Sequence, residues 1–419
     1  MLLALPSQVL SQYAPAATLL SFIALLFWFA DAIWKRRCAK RSSFTTSNGK
    51  SVGKTPSFYG ARDAVPIDVT QTPPYKSASF DPITEKPEQW WLDDYISDRV
   101  YSTTMALRSL PPHDWLRIDS NYAARMAHKR NVLDGSTAGT LGYEALCCEE
   151  DGHEACEELL GLLVEYLPRR FPRVWALKRQ GGNRSMKNQV TGEAYLVDKP
   201  YGGKSALEVI GRITEEDLAV LLPGKGKKGV DSLEQEYVLK AAVSAFPAGF
   251  DIKEKMDQPL TAIHDPVPTY KERLRKAMNK FFSNFGPDKL MMRVNWSIND
   301  KEEFFLVDGG HLYENDDGIV DESIDINQVH LRIERQVLRR LPKTGAMCML
   351  TKTRLSRHSY LHRLVDIAEY PGFAARLGGL LHKLPEKLAF YKRRPVWGKV
   401  VLQYLDNMAE KNPAVPGPQ

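Results

Sequence analysis

A stiff turn leads directly into a helix in the stretch Pro259-Leu-Thr-Ala-Ile-His-Asp-Pro-Val-Pro-Thr-Tyr-Lys-Glu272. Pro266 and Pro268 each fix φ and push the preceding residue towards extended geometry. His264 is therefore predicted to lie on a rigid, non-helical lead-in, with the helix starting just after the second proline.

The predicted helix has an apolar face and a basic face. Thr269 and Glu272 have the spacing of a capping box, and Gly286-Pro287 is a stop signal. The apolar face comprises Leu274, Met278, Phe281, Phe282 and Phe285. A histidine held above this face suits a flat apolar group. Because no second ligand stands at metal-site spacing, the residues alone favour a hydrogen-bonded loop histidine over a metal ligand.

Composition is that of an ordinary globular chain of 419 residues with a formal charge of +6. Much of the excess lies in the basic cluster at residues 35–41, so no basic stripe predicts nucleic-acid binding. The five cysteines are odd in number and include a vicinal pair, which argues against a disulfide framework. They also lack zinc or iron–sulfur spacing, and a reducing compartment is expected.

An apolar segment at residues 14–34 is long enough to span a bilayer. The basic cluster follows it directly, and no Lys or Arg precedes it. The positive-inside rule then predicts a single-pass anchor with the main domain in the cytosol. We expect this anchor to lie in the endoplasmic reticulum membrane. A cleaved signal peptide is the alternative, because Ala30-Asp-Ala32 resembles a cleavage site. The uncharged start and the basic flank favour the anchor.

The rest of the chain predicts an α+β domain. We expect an anchor at 1–41, a flexible Ser/Thr/Pro/Gly-rich linker at 42–80, a folded domain at 81–410 and a disordered tail at 411–419. The strand-rich core covers about 200–355, and helices with Pro and Gly breaks cover 360–410. Short β-rich runs occur at 207–213, 218–222, 237–246, 291–298, 304–307, 329–341 and 346–353. This order predicts one antiparallel sheet with helices against one face.

Six motifs together resemble one known family. They are Asp119-Ser-Asn-Tyr122, Val190-Thr-Gly-Glu193, Glu215-Glu-Asp-Leu218, Lys255 to Pro268, Arg293-Val-Asn-Trp-Ser297, and Leu331-Arg-Ile-Glu-Arg-Gln336 with its continuation to Ala346. The chain resembles the haem-dependent oxidative N-demethylase α-subunit family, formerly a domain of unknown function. Glu215 departs from that pattern, in which Gln is more usual.

The resemblance implies a haem-binding PAS-like core and NADPH-dependent oxidation of an amine with O2. It also implies electron delivery by flavin and iron–sulfur partners. His264 would be the axial ligand to the iron, with Phe281 and Phe285 against the haem, and Cys348 is the second candidate ligand. The chain has no dinucleotide fingerprint or iron–sulfur cysteine cluster, so electrons must come from a separate reductase.

Two strand faces carry the candidate catalytic residues. Period-two alternation puts Arg332, Glu334 and Gln336 on one face of their strand, and Arg293 and Asn295 on one face of another. They form either a solvated salt-bridge network or a polar wall over the haem. In the second case Glu334 would hold a protonated amine, and Arg or Asn donors would polarise oxygen. Trp296, on the opposite face, is expected to fill the core.

Three functions stay open at this point. The first is a membrane-anchored haem monooxygenase that removes alkyl groups from an amine. The second is a non-enzymatic haem or gas-sensing module of the same fold, and the third is a haem-free membrane scaffold. A haem absorption band would exclude the scaffold, and turnover with a reductase would separate the first two.

Overall fold

The computed structural model describes residues 64–85, 96, 103–136, 140, 142–224, 236–300, 304–353 and 362–413. The predicted anchor, the first part of the predicted linker and the last six residues of the predicted tail lie outside these ranges. Among the helices that are described, none is both long and apolar enough to span a bilayer.

Helices and strands alternate irregularly along the chain. The helices are α1 Tyr122–Leu133, α2 His153–Arg170, α3 Ala206–Ile213, α4 Leu260–Ile263, α5 Arg275–Asn284, α6 Leu364–Ala368, α7 Phe373–His382, α8 Glu386–Tyr391 and α9 Arg394–Lys411. The strands are β1 Arg108–Leu110, β2 Leu146–Cys148, β3 Trp175–Gln180, β4 Asn183–Asn188, β5 Ala194–Leu196, β6 Asp217–Pro223, β7 Tyr237–Val243, β8 Leu290–Asn299, β9 His330–Arg340, β10 Met347–Thr353 and β11 His362–Arg363.

One large antiparallel sheet organises the fold. In the part of the chain that is described it has eight strands in the order β1-β8-β9-β10-β6-β7-β2, with β11 paired to β9. Strands β3, β4 and β5 form a separate small meander. The α+β class is therefore confirmed, and β8, β9 and β10 lie where the sequence predicted strands.

Both faces of the large sheet are covered, so the expectation of helices on a single face is wrong. Val220, Ile333 and Val337 pack into a core with α2, α3, α7 and α9. On the other face, Leu338 and Met347 pack with Leu274, Met278 and Phe282. The strands carry apolar residues at alternate positions of both parities, and each set needs its own cover.

Residues 206–213 form the helix α3 rather than a strand. Ser205 caps it, because its hydroxyl accepts a hydrogen bond from the Glu208 backbone N–H at 3.0 Å. All but two of its residues are buried. A short, nearly continuous apolar run is compatible with a buried strand or a buried helix, and the cap resolves the ambiguity.

The folded unit begins before the predicted boundary at residue 81. Val69 and Tyr75 are buried in the core, and the Tyr75 N–H donates to the Arg170 carbonyl at 2.7 Å. The described end of the predicted linker is therefore packed, because two large apolar side chains interrupt its polar composition.

The turn and helix at 259–285 differ in detail from the prediction. α4 ends at Ile263, so His264 closes a short helical turn rather than lying on an extended lead-in. Thr269 has φ of 64° and makes no side-chain cap, and a π-helical turn, Tyr270–Leu274, precedes α5. The capping-box prediction is therefore wrong, because the left-handed backbone at Thr269 prevents the expected N-cap geometry.

Arg340 fastens the end of α5 to the sheet. Its buried guanidinium donates to the carbonyls of Phe282 and Phe285, to Gly345 O at 2.7 Å and to the Tyr237 hydroxyl at 2.9 Å. The two phenylalanine carbonyls lie at the helix C-terminus, where no intrahelical N–H reaches them. The arginine thereby holds the Phe-rich helix against β9.

Candidate functional site

His264 is half-buried at the end of α4. Its Nδ1 lies 2.8 Å from the Leu260 carbonyl oxygen, and its ring stacks on Tyr270 with centroids 4.7 Å apart and planes 12° from parallel. A carbonyl can only accept, so Nδ1 carries the hydrogen. In the neutral imidazole this leaves the Nε2 lone pair available.

Burial lowers the pKa of His264, and the charges of Arg293 and Lys255 lower it further, against the opposing effect of the Leu260 hydrogen bond. The imidazole is therefore neutral at pH 7. A neutral ring with one nitrogen tied to a backbone carbonyl is the usual form of a histidine that ligates a metal through its other nitrogen. His264 thus fits the role of axial ligand to haem iron.

Phe281, Phe285 and Cys348, the other residues predicted to contact haem or its iron, pack against other side chains than His264 does. Phe285 is buried, and Phe281 packs beside it with ring centroids 4.9 Å apart. Both belong to the core between α5 and the sheet. The Phe281 ring also packs against Phe282, whereas the His264 ring stacks on Tyr270. Cys348 is fully buried in the core on the opposite face, which fits packing rather than ligation.

The candidate catalytic residues of β8 and β9 lie on one face of the sheet and form a polar wall. Antiparallel pairing sets Arg293 opposite Gln336, Asn295 opposite Glu334, and Ser297 opposite Arg332. Directly paired residues point to the same side of a sheet. The two faces predicted separately on β8 and β9 are therefore one face, and Trp296 lies on the other, buried in the core as predicted.

Glu334 is the centre of this wall. One carboxylate oxygen accepts from Arg332 Nε at 3.0 Å, and the other accepts from Asn295 Nδ2 at 3.3 Å and Gln336 Nε2 at 3.2 Å. Burial alone would raise the pKa of Glu334, but the Arg332 charge and these hydrogen bonds outweigh it and lower the pKa. Glu334 is therefore a buried carboxylate that stays ionised.

All three guanidinium nitrogens of Arg332 donate hydrogen bonds to other protein groups. Its guanidinium donates to the carbonyls of Pro247, Phe304 and Phe246 and to the Thr353 hydroxyl, in addition to Glu334. It is 1% exposed. Such an arginine fixes the carboxylate geometrically, and its donors are occupied by the protein. Its position supports a positioning role and does not support the predicted contact with oxygen.

Two groups near Glu334 were not predicted from the sequence. His311 stacks on Tyr391 with centroids 4.4 Å apart. Its burial and the Lys392 charge lower its pKa to about 4, so the ring is neutral. Lys392 follows α8, and its ammonium donates to the Trp296 carbonyl at 2.6 Å. The Glu334 charge influences the pKa of both groups. Neither residue stands in a pattern that marks a site.

A second buried polar cluster uses other motif residues. Glu215 pairs with Arg125 at 2.9 Å and with Lys352 at 3.2 Å, and Lys352 also pairs with Asp119 at 3.2 Å. Lys352 further donates to the Arg117 carbonyl at 2.5 Å. These contacts join α1 and the segment before it to β10 and the start of β6, and they indicate a structural function for the first and third motifs.

The fold and site define an α+β protein with a neutral, ligand-competent histidine and a buried carboxylate on a polar sheet face. A protein-family model described as "Haem-dependent oxidative N-demethylase, alpha subunit-like" matches residues 106–402. The chain belongs to this haem-dependent oxidative N-demethylase α-subunit-like family.

Proposed function

We propose that this protein is a haem-dependent monooxygenase that removes a methyl or other small alkyl group from an amine. The observation that carries the proposal is Glu334, a carboxylate kept ionised inside the protein by three side-chain donors. An ionised buried carboxylate is suited to a cationic ligand, and an aliphatic amine is protonated at pH 7. Family membership supplies the chemistry to which this binding group belongs.

The wall residues have separate roles in this proposal. Glu334 holds the ammonium of the substrate through oxygen lone pairs that its protein partners leave available. Arg332 sets the carboxylate in place, and Asn295 and Gln336 fix its second oxygen. The amide oxygens of these two residues are further acceptors for the substrate N–H groups. Arg293 is the remaining candidate for a donor to oxygen.

His264 would hold the haem iron through Nε2, with the half-buried Phe281 contributing apolar surface against the macrocycle and the buried Phe285 packing against Phe281. When bound, haem supplies the activation of O2 that the reaction requires. Overall, an N-methyl amine, one O2, two electrons and two protons give the demethylated amine, one formaldehyde and one water. The two electrons derive from NADPH through a separate flavin or iron–sulfur reductase, because the sequence carries no binding fingerprint for either cofactor.

Replacing Glu334 by Gln is expected to reduce amine turnover about 100-fold, since it removes the charge while keeping the shape. The measurement is formaldehyde release from N-methylated amines, with haem content checked by the Soret band. Glu322→Gln is the matched control, because Glu322 is exposed and pairs only with Lys399 at 2.6 Å among the described residues. Unchanged turnover in Glu334→Gln would remove this residue from the proposed mechanism.

The Soret band also separates the alternative functions. Purified full-length protein supplied with haem should show it, and a chain that never does would fit the haem-free scaffold. A haem-loaded chain that releases no formaldehyde with any reductase and amine tested would fit the sensing module.

We further propose that residues 14–34 anchor the protein in the endoplasmic reticulum membrane with the folded unit in the cytosol. In sealed microsomes, added protease should digest the folded unit, whereas an epitope tag at the N-terminus should survive until detergent is added. Asn183 and Asn295 each begin an Asn-x-Ser triplet. A glycan on either one, or protection of the folded unit, would reverse the proposed orientation.

A further inference from the structure

Lys392 lies at an open edge of the large sheet. Strand β1 covers β8 only from Leu290 to Met292, so among the described strands β8 has no partner on that side at Trp296. The end of α8 places Lys392 in this gap. Its Nζ donates to the Trp296 carbonyl at 2.6 Å and lies 4.3 Å from the centroid of the Trp296 ring.

The ammonium of Lys392 has hydrogen-bonding capacity that the described part of the protein does not use. An ammonium has three donors, and the described residues accept one of them, through Trp296. Among the described carboxylates none lies within ion-pair distance of Nζ. Asp300, which follows β8, pairs instead with Arg393 at 2.7 Å.

The charged groups around Lys392 do not balance it. Glu334 is the acidic group that raises its pKa, and this carboxylate already has Arg332 as its ion-pair partner at 3.0 Å. Arg293 adds a positive charge, and His311 is neutral. Burial, as the largest cause, lowers the pKa of Lys392 to about 8. A half-buried cation without a counterion is costly unless a ligand supplies the missing charge.

We propose that Lys392 is the anchor of a carboxylate-binding site at the open edge of the large sheet, next to Trp296. Two molecules could bring the carboxylate: haem, through a propionate, or the substrate, if the amine is an N-alkyl amino acid. The choice between these sources rests on the proposed function.

The first experiment compares two ligands that differ in the carboxylate. Calorimetric titration of haem-supplied full-length protein uses N-methylglycine and N-ethylmethylamine, which lacks the carboxylate. Lys392→Gln should weaken binding of N-methylglycine about tenfold or more and leave N-ethylmethylamine unchanged, as expected for loss of a charge-assisted hydrogen bond. The second experiment compares uptake of haem with uptake of haem dimethyl ester. If the carboxylate is a propionate, Lys392→Gln should remove the preference for haem.

Two further variants test whether Lys392→Gln acts by disturbing the fold rather than by removing a carboxylate partner. Lys392→Arg keeps the charge and should retain most of the affinity, which would not happen if any substitution here disrupted the fold. Lys399→Gln, on the exposed side of α9, should behave as the unsubstituted protein in both experiments.

The proposal is overturned if Lys392→Gln alters neither N-methylglycine binding nor the discrimination between haem and its ester. It is also overturned if the unsubstituted protein shows no preference for a carboxylate in either experiment. If the chain takes up no haem, the proposed function fails. The calorimetric comparison on that same chain then still decides whether Lys392 binds a carboxylate.

Discussion

Replacing His264 by Ala is expected to leave the chain folded while removing most of its haem. The imidazole makes one side-chain hydrogen bond and one ring stack among the described residues, and it is half-buried. Its loss should cost about 1 kcal/mol of stability. Haem would lose its iron ligand, and residual haem held by apolar contacts should show altered axial ligation. Absorption spectra of variants expressed with added haem measure the loss, and circular dichroism measures the fold.

Free imidazole should partly restore the spectrum of His264→Ala, because the substitution leaves a space of imidazole size beside Tyr270. His311→Ala and His330→Ala are the controls. His311 is stacked on Tyr391, and His330 is buried at the start of β9. If either control loses the Soret band while His264→Ala keeps it, the ligand assignment is wrong, although membership of the family stands.

The polar wall could be predicted from sequence because strand alternation is a local property. The alternation on β8 and on β9 each predicted which residues share a face. The polar residues of the two strands form one face only because the strands pair in the register that sets Asn295 opposite Glu334. A shift of one residue would have put Trp296 opposite Glu334. No local pattern fixes that register. The sequence therefore predicts which residues share a face within each strand, but not which residues of β8 lie opposite which residues of β9.

The contributions of His311 and Lys392 could not be predicted, because both residues lie far from Glu334 in the sequence. His311 lies in the loop after β8, and Lys392 follows α8, far along the chain from Glu334. Each is a single residue in an ordinary local context. Only the packing of α8 against the open edge of the sheet brings the Lys392 ammonium within hydrogen-bonding distance of the Trp296 carbonyl. The same limit explains Thr269, whose left-handed backbone leads into the π-helical turn and contradicts an otherwise plausible cap.

Two of the misjudged features of the fold have a common origin: the helix at residues 206–213 and the cover on both faces of the sheet. Apolar runs at 207–213 and on the strands indicate burial but not which element covers them. Leu338 was assigned to β9 correctly, yet its parity puts it on the face that α5 covers, together with Arg340. A sheet whose strands are apolar on both faces requires two layers of helices. Strand β10 carries this pattern, with Met347 and Met349 on one face and Cys348 and Leu350 on the other.

Replacing Lys352 by Met should cost about 3–5 kcal/mol of unfolding free energy at pH 8, the range for breaking a buried ion pair. Lys352 is 1% exposed and contacts Glu215 and Asp119, both at 3.2 Å. Its loss leaves two buried carboxylates with Arg125 as the only cation bonded to Glu215 among the described residues. Urea denaturation of the full chain, followed by tryptophan fluorescence, measures the change.

The cost of Lys352→Met should depend on pH in a defined direction. Burial raises the pKa of Glu215 to about 7, although Lys352 and Arg125 oppose this. A raised folded-state pKa means that the contribution of Glu215 to stability is full below its unfolded value near 4.5 and is lost as pH rises through about 7. Lys352 limits that loss by pairing with the ionised form.

The difference in stability between the unsubstituted protein and Lys352→Met should therefore be smaller near pH 5, where Glu215 is protonated and the pair with Asp119 remains to be lost, and should grow as pH rises through 7. Lys199→Met is the matched control, because Lys199 is exposed and pairs with Glu157 at 2.6 Å. Its cost should be much smaller than that of Lys352→Met, because exposed ion pairs contribute little to stability. A Lys352→Met cost that stays constant from pH 5 to pH 8 would mean that Glu215 remains ionised throughout, and that its two cations outweigh the effect of burial on its pKa.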